Sequence, residues 1–456
     1  MATVWDSVAD YVHSLGLDAH LVGGAVRDEL LGRTPPELDF VVPGVGHAEL
    51  REALEPHGRV EDLIVADQRV GVRLLPRDKA ARALQPAGIE FTPPRIERST
   101  GPGRHDFEIV ADSEISLEQD MERRDFTINA IARRLETGEI LDPLGGRADL
   151  ERGVLRTTGP ASFRDDPLRI VRGLRFVSQL DVEPDEDTLR QMHEWARQLD
   201  YVSGERIGGG LAADGMGELS KLLLGAQPAK ALRLARATGV LEHVLPEFAP
   251  AIGYEQESDR QHLTLDEHVF TVVQAAADAG TPLEVRLAAL LHDLGKPAAE
   301  REGGDHAALG ALAAGRVLRR LRYPTRLREY VVRLVREHPF SLPDDPQPVD
   351  ARRFLARHGE RLARDLLAHR AADLAGKIVP ASEWERLDRF RTLVERERTH
   401  PHRLADLAVD GNDLIAAGFR EGPALGQALQ TLLAEVVEDP ERNDRGQLLR
   451  RARELA

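Results

Sequence analysis

Strand-like and helix-like patterns are unevenly spread along this 456-residue chain, and that unevenness constrains its fold more than any other feature. The short β-like runs HLVGG, LDFVV, VGVRLL and GIEFT fall in the first third, mixed with helical stretches. From about Pro167 onward the strand signals thin out, and apolar residues recur at helical spacing, as in PLRIVRGLRFVSQL and AKALRLARATGVLEHVLPEF. The pattern predicts an α+β protein, an α/β head followed by an all-helical remainder. Several domains are expected, because single cores rarely grow past ~250 to 300 residues. The Pro and Gly of ILDPLGGRADLERG mark the exit from the head.

Composition removes some chemistries. The chain has no cysteine, which excludes disulfides, Cys-ligated zinc and iron-sulfur clusters, so any metal must sit on His, Asp or Glu. The start MATVWDSVADYV has no basic region followed by an apolar core, and no apolar run approaches the ~20 residues that span a bilayer. A soluble, cytoplasmic protein with no membrane partner is expected. The net charge of -16 argues against a general nucleic-acid binder. Locally, however, residues 319–336 (RRLRYPTRLREYVVRLVR) carry seven arginines and one acid, Glu329. This segment reads either as a surface for an RNA backbone or as a solvated helix face paired with acids elsewhere.

The stretch HLVGGAVRDELLGRTPPELDFVV, residues 20–42, concentrates chemistry. HLVGG reads as a buried strand entering a turn whose glycines, Gly23 and Gly24, let backbone approach a ligand. AVRDELLG reads as a helix whose first turn carries Arg27, a charge-assisted donor to phosphate oxygens. Glu37 and Asp39 stand two apart, so on a strand both carboxylates share a face and can share hard cations. Each element alone is a tight turn or a solvated strand face.

Together with later motifs, this stretch resembles the head of class II nucleotidyltransferases, the family of bacterial CCA-adding enzymes and poly(A) polymerases. Here Glu37 stands where that family usually has Asp. ERRDFTINAIA (122–132) resembles its second motif, which implies that Arg124, Asp125 and Asn129 lie near the triphosphate and ribose. DPLGGRADL (142–150) resembles the link from head to neck, and RDDPLRIVRGLRF (164–176) the nucleotide-selecting helix. The family's Glu-Asp-x-x-Arg is here Asp165, Asp166, Pro167, Leu168, Arg169, with Arg172 one turn further on. The resemblance implies a polymerase-β-like head at 1–145, a helical neck and body at 146–250, an HD domain at 251–380 and a tRNA-binding tail at 381–456.

Asp166 and Arg169 also have a reading of their own. Three apart on a helix face, they offer an acceptor beside a fork of donors, able to meet the Watson-Crick edge of C or A. The bland alternative is an i,i+3 salt bridge. The mechanism implied by the family is templateless nucleotidyl transfer from CTP and ATP to the 3' end of tRNA. Glu37 and Asp39 would hold two magnesium ions ~3.5 to 4 Å apart. Glu90 is a candidate third carboxylate or a satisfied strand-end acid, and 92–108 has the Gly, Pro and charge content of a mobile loop.

In the second half, LDEHVFTVV, ALLHDLGKP, DHAALGA, REHPF and HRAADLAGK place His268, His292, Asp293, His306, His338 and Asp373 among helices. The ordered set resembles the HD phosphohydrolase superfamily, with His268, His292, Asp293 and Asp373 on its core positions and His306 and His338 on accessory ones. It implies a Ni2+, Mn2+ or Co2+ site and hydrolysis of cyclic or terminal phosphates, or else a degenerate HD fold kept as a scaffold. DLAVDGNDLIAAGFREGPALGQALQTLLAEV resembles the C-terminal segment of the same enzymes. One departure lies in the neck: ERIGGGLAADGMGELSKLL, residues 205–223, holds extra Gly-rich residues where relatives run ERI almost directly into the next helix. The rival readings are a poly(A) polymerase, a partial CC- or A-adding enzyme, and an HD hydrolase whose head only binds RNA.

Overall fold

The computed structural model describes residues 4–35, 37–65, 68–99, 107–111, 113–209, 216–256 and 258–455. Two compact units emerge, one of Met1–Ala249 with Arg320–Tyr323, the other of Pro250–Arg319 with Pro324–Ala456.

The first unit holds the strands. They are β1 (His20–Val22), β2 (Asp39–Val41), β3 (Gly58–Val65), β4 (Gln68–Pro76), β5 (Ile89–Thr92), β6 (Arg95–Ser99), β7 (Phe107–Ala111), β8 (Ala132–Arg134) and β9 (Ile140–Leu141). Seven form one sheet in the order β3-β4-β5-β2-β1-β8-β9. β2 runs antiparallel to β1 and parallel to β5. Alternation along the strands sorts the side chains. Leu21, Phe40 and Phe91 enter one core with Val12, Leu50 and Leu74, whereas Val22 and Val41 pack on Met121 and Leu117 on the other face. Phe40 and Phe91 stack with centroids 5.6 Å apart. Asp39, two before Val41, therefore projects away from the Phe40 core.

The four predicted β-runs all contain strands, while β3, β8 and β9 escaped the sequence reading. Two expectations need correction. Glu37 precedes the strand, because pairing starts only at Asp39. The segment read as a mobile loop, 92–108, contributes two strands: β6 pairs antiparallel with β7 from Arg95↔Ala111 to Ser99↔Phe107. Residues 100–106 between them lie outside the described residues.

Among the described residues past 167 the regular elements are helices, apart from Glu183–Pro184, which pairs parallel with Val154–Leu155. In the Gly-rich neck, Glu205–Gly209 form one wide helical turn, and 210–215 lie outside the described residues. Glycine is obligatory in that turn. A Cβ on Gly209 would sit 2.1 Å from the carbonyl oxygen of Arg322, and one on Gly208 2.7 Å from Leu321 Cβ. The wide turn is thus docked backbone to backbone, with Gly209 N–H donating to Leu321 O at 2.8 Å.

The second unit is helical. Helices Leu265–Asp278, Leu283–Leu291, Thr325–Glu337 and Glu360–Ala375 pack together, and a separate core of Leu414, Leu432, Val436 and Leu448 organises the C-terminal helices. Among the described residues, no helix is long and apolar enough to cross a membrane. The arginine-rich segment divides: Arg320 pairs with Glu247 and Arg333 with Glu337, while Arg319, Arg322, Arg326 and Arg336 are exposed.

Candidate functional site

In the first unit a cleft of about 1050 Å³ gathers nearly every head residue picked out from sequence. Gly24, Arg27, Glu37, Asp39, Glu90, Arg124, Asp125, Asn129, Asp166, Arg169 and Arg172 line it. Gly23 caps the helix Gly24–Leu30 with φ 71°, a conformation that favours glycine, and the Arg124 guanidinium lies close over it. Arg27 is fixed rather than loose: Nε and Nη2 donate to Asp28 Oδ1, and Nη1 donates to Asn129 Oδ1 at 2.6 Å.

The parallel register sets Asp39 directly opposite Glu90. Arg73 donates through Nε and Nη2 to Glu90 Oε1, at 3.1 and 2.5 Å. Asp39 opens to the cleft, yet the walls hold enough water from its carboxylate to raise its pKa. Arg124 opposes that rise, while Glu90 and Glu37 add to it. Crowded acids in a cleft are a cost that a divalent cation relieves, so the residues fit such a group.

The second motif is anchored by Asp125. Its Oδ1 accepts from Phe126 N–H and Asn129 Nδ2, and its Oδ2 accepts from Arg172 Nε and Nη2 at 2.9 and 2.8 Å. Burial alone would raise its pKa, but Arg172, Asn129 and Arg169 hold it well below the carboxylate range. Arg172 also meets buried Glu218, which pairs with Arg175 at 3.0 Å. Burial pulls Arg175 down to about 10 against the opposing pull of Glu218.

The selecting motif departs from the sequence reading in three ways. Asp166 is not on the helix with Arg169: it ends the short helix Ser162–Asp165 in extended backbone, and Pro167 starts the helix Leu168–Leu180. The i,i+3 salt bridge does not form either. Asp166 accepts from Arg206 Nη2 at 2.9 Å, and Arg169 donates to the carbonyls of Arg123 and Arg124 and to Ser162 Oγ. Asp165 stays out of the cleft, beside Arg164. Reading the sequence missed Arg206, Glu218 and Arg175. The signal was available in the neck segment quoted for its glycines: two buried-side acids upstream, Asp125 and Asp166, needed cations, and ERI supplies one.

The second unit brings together all six of its sequence-selected residues. His268 Nε2 lies 3.3 Å from Asp373 Oδ1 and 3.6 Å from Asp293 Oδ2, and His292 Nε2 lies 3.1 Å from Asp293 Oδ2. His306 and His338 approach the other oxygen, Asp293 Oδ1, at 3.9 and 3.7 Å. Two candidate metal triads result, His268-His292-Asp293 and Asp293-His306-His338, sharing one carboxylate. The imidazoles are oriented for ligation. Nδ1 of His268, His292 and His338 lies against the carbonyls of Gly376, Ala289 and Val335, at 3.1, 2.9 and 2.7 Å. A carbonyl only accepts, so each Nδ1 carries its hydrogen and each Nε2 turns a lone pair toward carboxylate.

Among the described residues, buried Nε2 of His268 and His292 and Asp373 Oδ1 have no hydrogen-bond partner, and Asp293 Oδ2 meets only Lys296 Nζ, at 2.6 Å, besides the imidazoles. Lone pairs facing lone pairs are reconciled by a cation, and His plus carboxylate suits a divalent one. Burial, reinforced by His292, pushes His338 down to about 4, which favours the neutral ligand form. His369, quoted in sequence but passed over, is also buried here, its ring 5.0 Å from that of His292. The HD-turn glycine has a steric reason too: a Cβ on Gly295 would sit 2.1 Å from the carbonyl oxygen of His306.

Comparison with known proteins covers the regions that hold both clusters. Residues 19–156 match the Poly A polymerase head domain, 181–252 the probable RNA and SrmB-binding site of polymerase A, and 265–381 the HD domain. A nucleotidyltransferase head and an HD domain each imply dependence on a divalent cation. The multifunctional CCA protein of Nitrosococcus oceani is 33% identical over 450 residues, covering 94% of this chain and 100% of the relative. That of Ralstonia nicotianae is 36% identical over 352 residues, covering 74% of this chain and 75% of the relative. The Bacillus stearothermophilus CCA-adding enzyme, solved in complex with CTP, superposes with a TM-score of 0.70 at 26% identity, covering 100% of this chain and 98% of that one. Continuous likeness across head, neck and HD region, joined to the geometry of both sites, means that the chain belongs to the family of multifunctional CCA proteins, nucleotidyltransferases with a poly(A)-polymerase-type head and an HD domain.

Proposed function

We propose that this chain transfers nucleotides from CTP and ATP to the 3' end of tRNA without a template, building or repairing CCA. The observation that carries the reading is convergence: the acids Glu37, Asp39 and Glu90 share one cleft with Arg27, Arg124 and Asn129 and with Asp166 and Arg169. Arg124 and Arg27 meet the triphosphate. Asp125, saturated by its four donors, holds Asn129 and Arg172 in place. Asp166 spends two acceptor sites, on Arg206 and on Leu168 N–H, and keeps others for an exocyclic amine. Arg169 is braced by four oxygens, and its Nε–H is among the donors left for a ring nitrogen or carbonyl. When bound by Glu37 and Asp39, with Glu90 beside them, Mg2+ would supply activation of the RNA 3'-hydroxyl and charge relief for the leaving pyrophosphate.

The finer division into head, neck and body, HD domain and tail belongs to this reading, as does a cytoplasmic location. So does a second activity, hydrolysis of phosphate esters in the HD region with Ni2+, Mn2+ or Co2+. The favouring observation is the set of unpartnered buried atoms on His268, His292 and Asp373 beside the carboxylate of Asp293.

The deciding assay offers three RNAs, ending at the discriminator base, after C and after CC, to the purified chain with Mg2+ and each nucleotide. Growth that stops at CCA supports the reading. Long A tails would replace it with poly(A) synthesis, a halt at CC with a partial enzyme, and no addition with a binding head. Arg169→Ala is expected to change the ratio of C to A incorporation by about ten- to a hundredfold, with a smaller effect on triphosphate binding. Arg206→Ala, which frees Asp166, should blur the same ratio. Unchanged ratios in both variants would remove these residues from base selection.

A further inference from the structure

The HD pocket, about 570 Å³, is bordered by more cations than its metal ligands need. Lys296 Nζ sits 2.6 Å from Asp293 Oδ2, and Lys377 Nζ sits 2.6 Å from Asp373 Oδ2, so each lysine is matched by an acid. Arg370 is not. It stands one turn before Asp373 on the helix Glu360–Ala375, and its closest carboxylate oxygens are Asp373 Oδ2 at 3.7 Å and Glu383 Oε1 at 3.9 Å. Both exceed hydrogen-bond reach. Glu383 is engaged by Arg260 Nη2, which donates to both of its oxygens at 3.0 and 3.1 Å. Arg370 Nε is buried without a hydrogen-bond partner. A guanidinium in a pocket wall whose acids stand beyond hydrogen-bond reach, beside a candidate metal centre, is shaped for an oxyanion that supplies two oxygens.

We propose that Arg370 is the phosphate-recognising and specificity-determining residue of the HD pocket, and that it selects a terminal phosphomonoester over a cyclic phosphodiester. The proposal rests on the phosphohydrolase reading of the site. Its argument is a count of oxygens and charge. A monoester dianion has three non-bridging oxygens, enough for a two-oxygen fork and a metal together. A cyclic diester has two and a single negative charge. Arg370, beyond hydrogen-bond reach of both its acids, keeps the fork of donors that the doubly charged monoester meets. In the hydrolysis, water oxygen forms the new P–O bond, the ester P–O bond breaks, and the ester oxygen leaves as an alcohol with one of the water protons.

The test uses the full chain as wild type, Arg370→Gln and Arg370→Lys. With added Mn2+, kcat/KM is measured on 2'-AMP, 4-nitrophenyl phosphate and 2',3'-cyclic AMP. In Arg370→Gln, kcat/KM for the monoesters should fall about ten- to a hundredfold, chiefly through KM, while the cyclic diester falls far less. Arg370→Lys should recover part of the loss by keeping the charge without the fork. CTP addition to tRNA should not change. Equal losses on all three substrates, or none, overturn the proposal. A wild type inert on every ester would sink the hydrolase reading, and a second readout then decides on Arg370. Equilibrium dialysis of inorganic phosphate with metal-free protein should lose one binding site in Arg370→Gln, and an unchanged isotherm removes the residue from anion recognition.

Discussion

Asp39→Ala is expected to lower nucleotide addition by about a thousandfold or more, with RNA binding and HD-site hydrolysis left near wild type. The size follows from position. Asp39 is the first paired residue of β2, its register partner is Glu90, and its side chain projects away from the Phe40 core into the cleft. Truncation there removes a cation ligand without opening a cavity or breaking the sheet. It also takes one acid from a crowded group, so the folded unit should be no less stable. Single-turnover addition of C and A to a tRNA lacking CCA, beside a gel-shift measurement, separates the two effects. Robust addition by the variant would mean that the reaction centre lies elsewhere.

The largest stability effect is expected from Asp125→Ala, about 3 to 5 kcal/mol in the first unit. Asp125 is buried and saturated, and its loss strands Arg172 with only Glu218, which Arg175 already claims. Asn129 and the Phe126 N–H lose their acceptor as well. Asp125→Asn keeps the shape but not the charge and should fall between. Because the folded-state pKa is lowered, this contribution is complete at neutral pH and is lost only as pH falls below about 4, through the folded value. The acid arm of the stability profile should therefore flatten in the variant. Denaturant unfolding at pH 7 and pH 3 reads both, and a loss under about 1 kcal/mol at pH 7 would contradict the network's weight.

Much of this protein was legible without coordinates. The alternation in LDFVV and GIEFT specifies which residues a strand buries, since side-chain direction there has a period of two and needs no partner. The helical remainder was legible for the same reason at a period of 3.6. The candidate residues of both sites were named from the resemblance of ordered motifs, because an Arg, Asp, Glu or His taken singly reads equally well as a solvated or satisfied residue. Sequence periodicity was less informative where the backbone changes course. Pro167 starts a new helix and turns Asp166 off it, so Asp166 and Arg169 do not share the one helix face that their spacing implied. Glu37 likewise sits ahead of the pairing that begins at Asp39.

Only tertiary structure could decide which charges meet. Arg206 reaches Asp166 across 40 residues, and Asp125 receives Arg172 across 47. His338 comes within 3.7 Å of Asp293 from a distant segment, and Arg370 stays beyond hydrogen-bond reach of Glu383, whose oxygens accept from Arg260. Local sequence determines which face a residue occupies, since that depends on the dihedral angles of its own segment. The partner of a buried charge depends on which distant segments the hydrophobic core packs beside it, and ion pairing then follows from the space and water that remain.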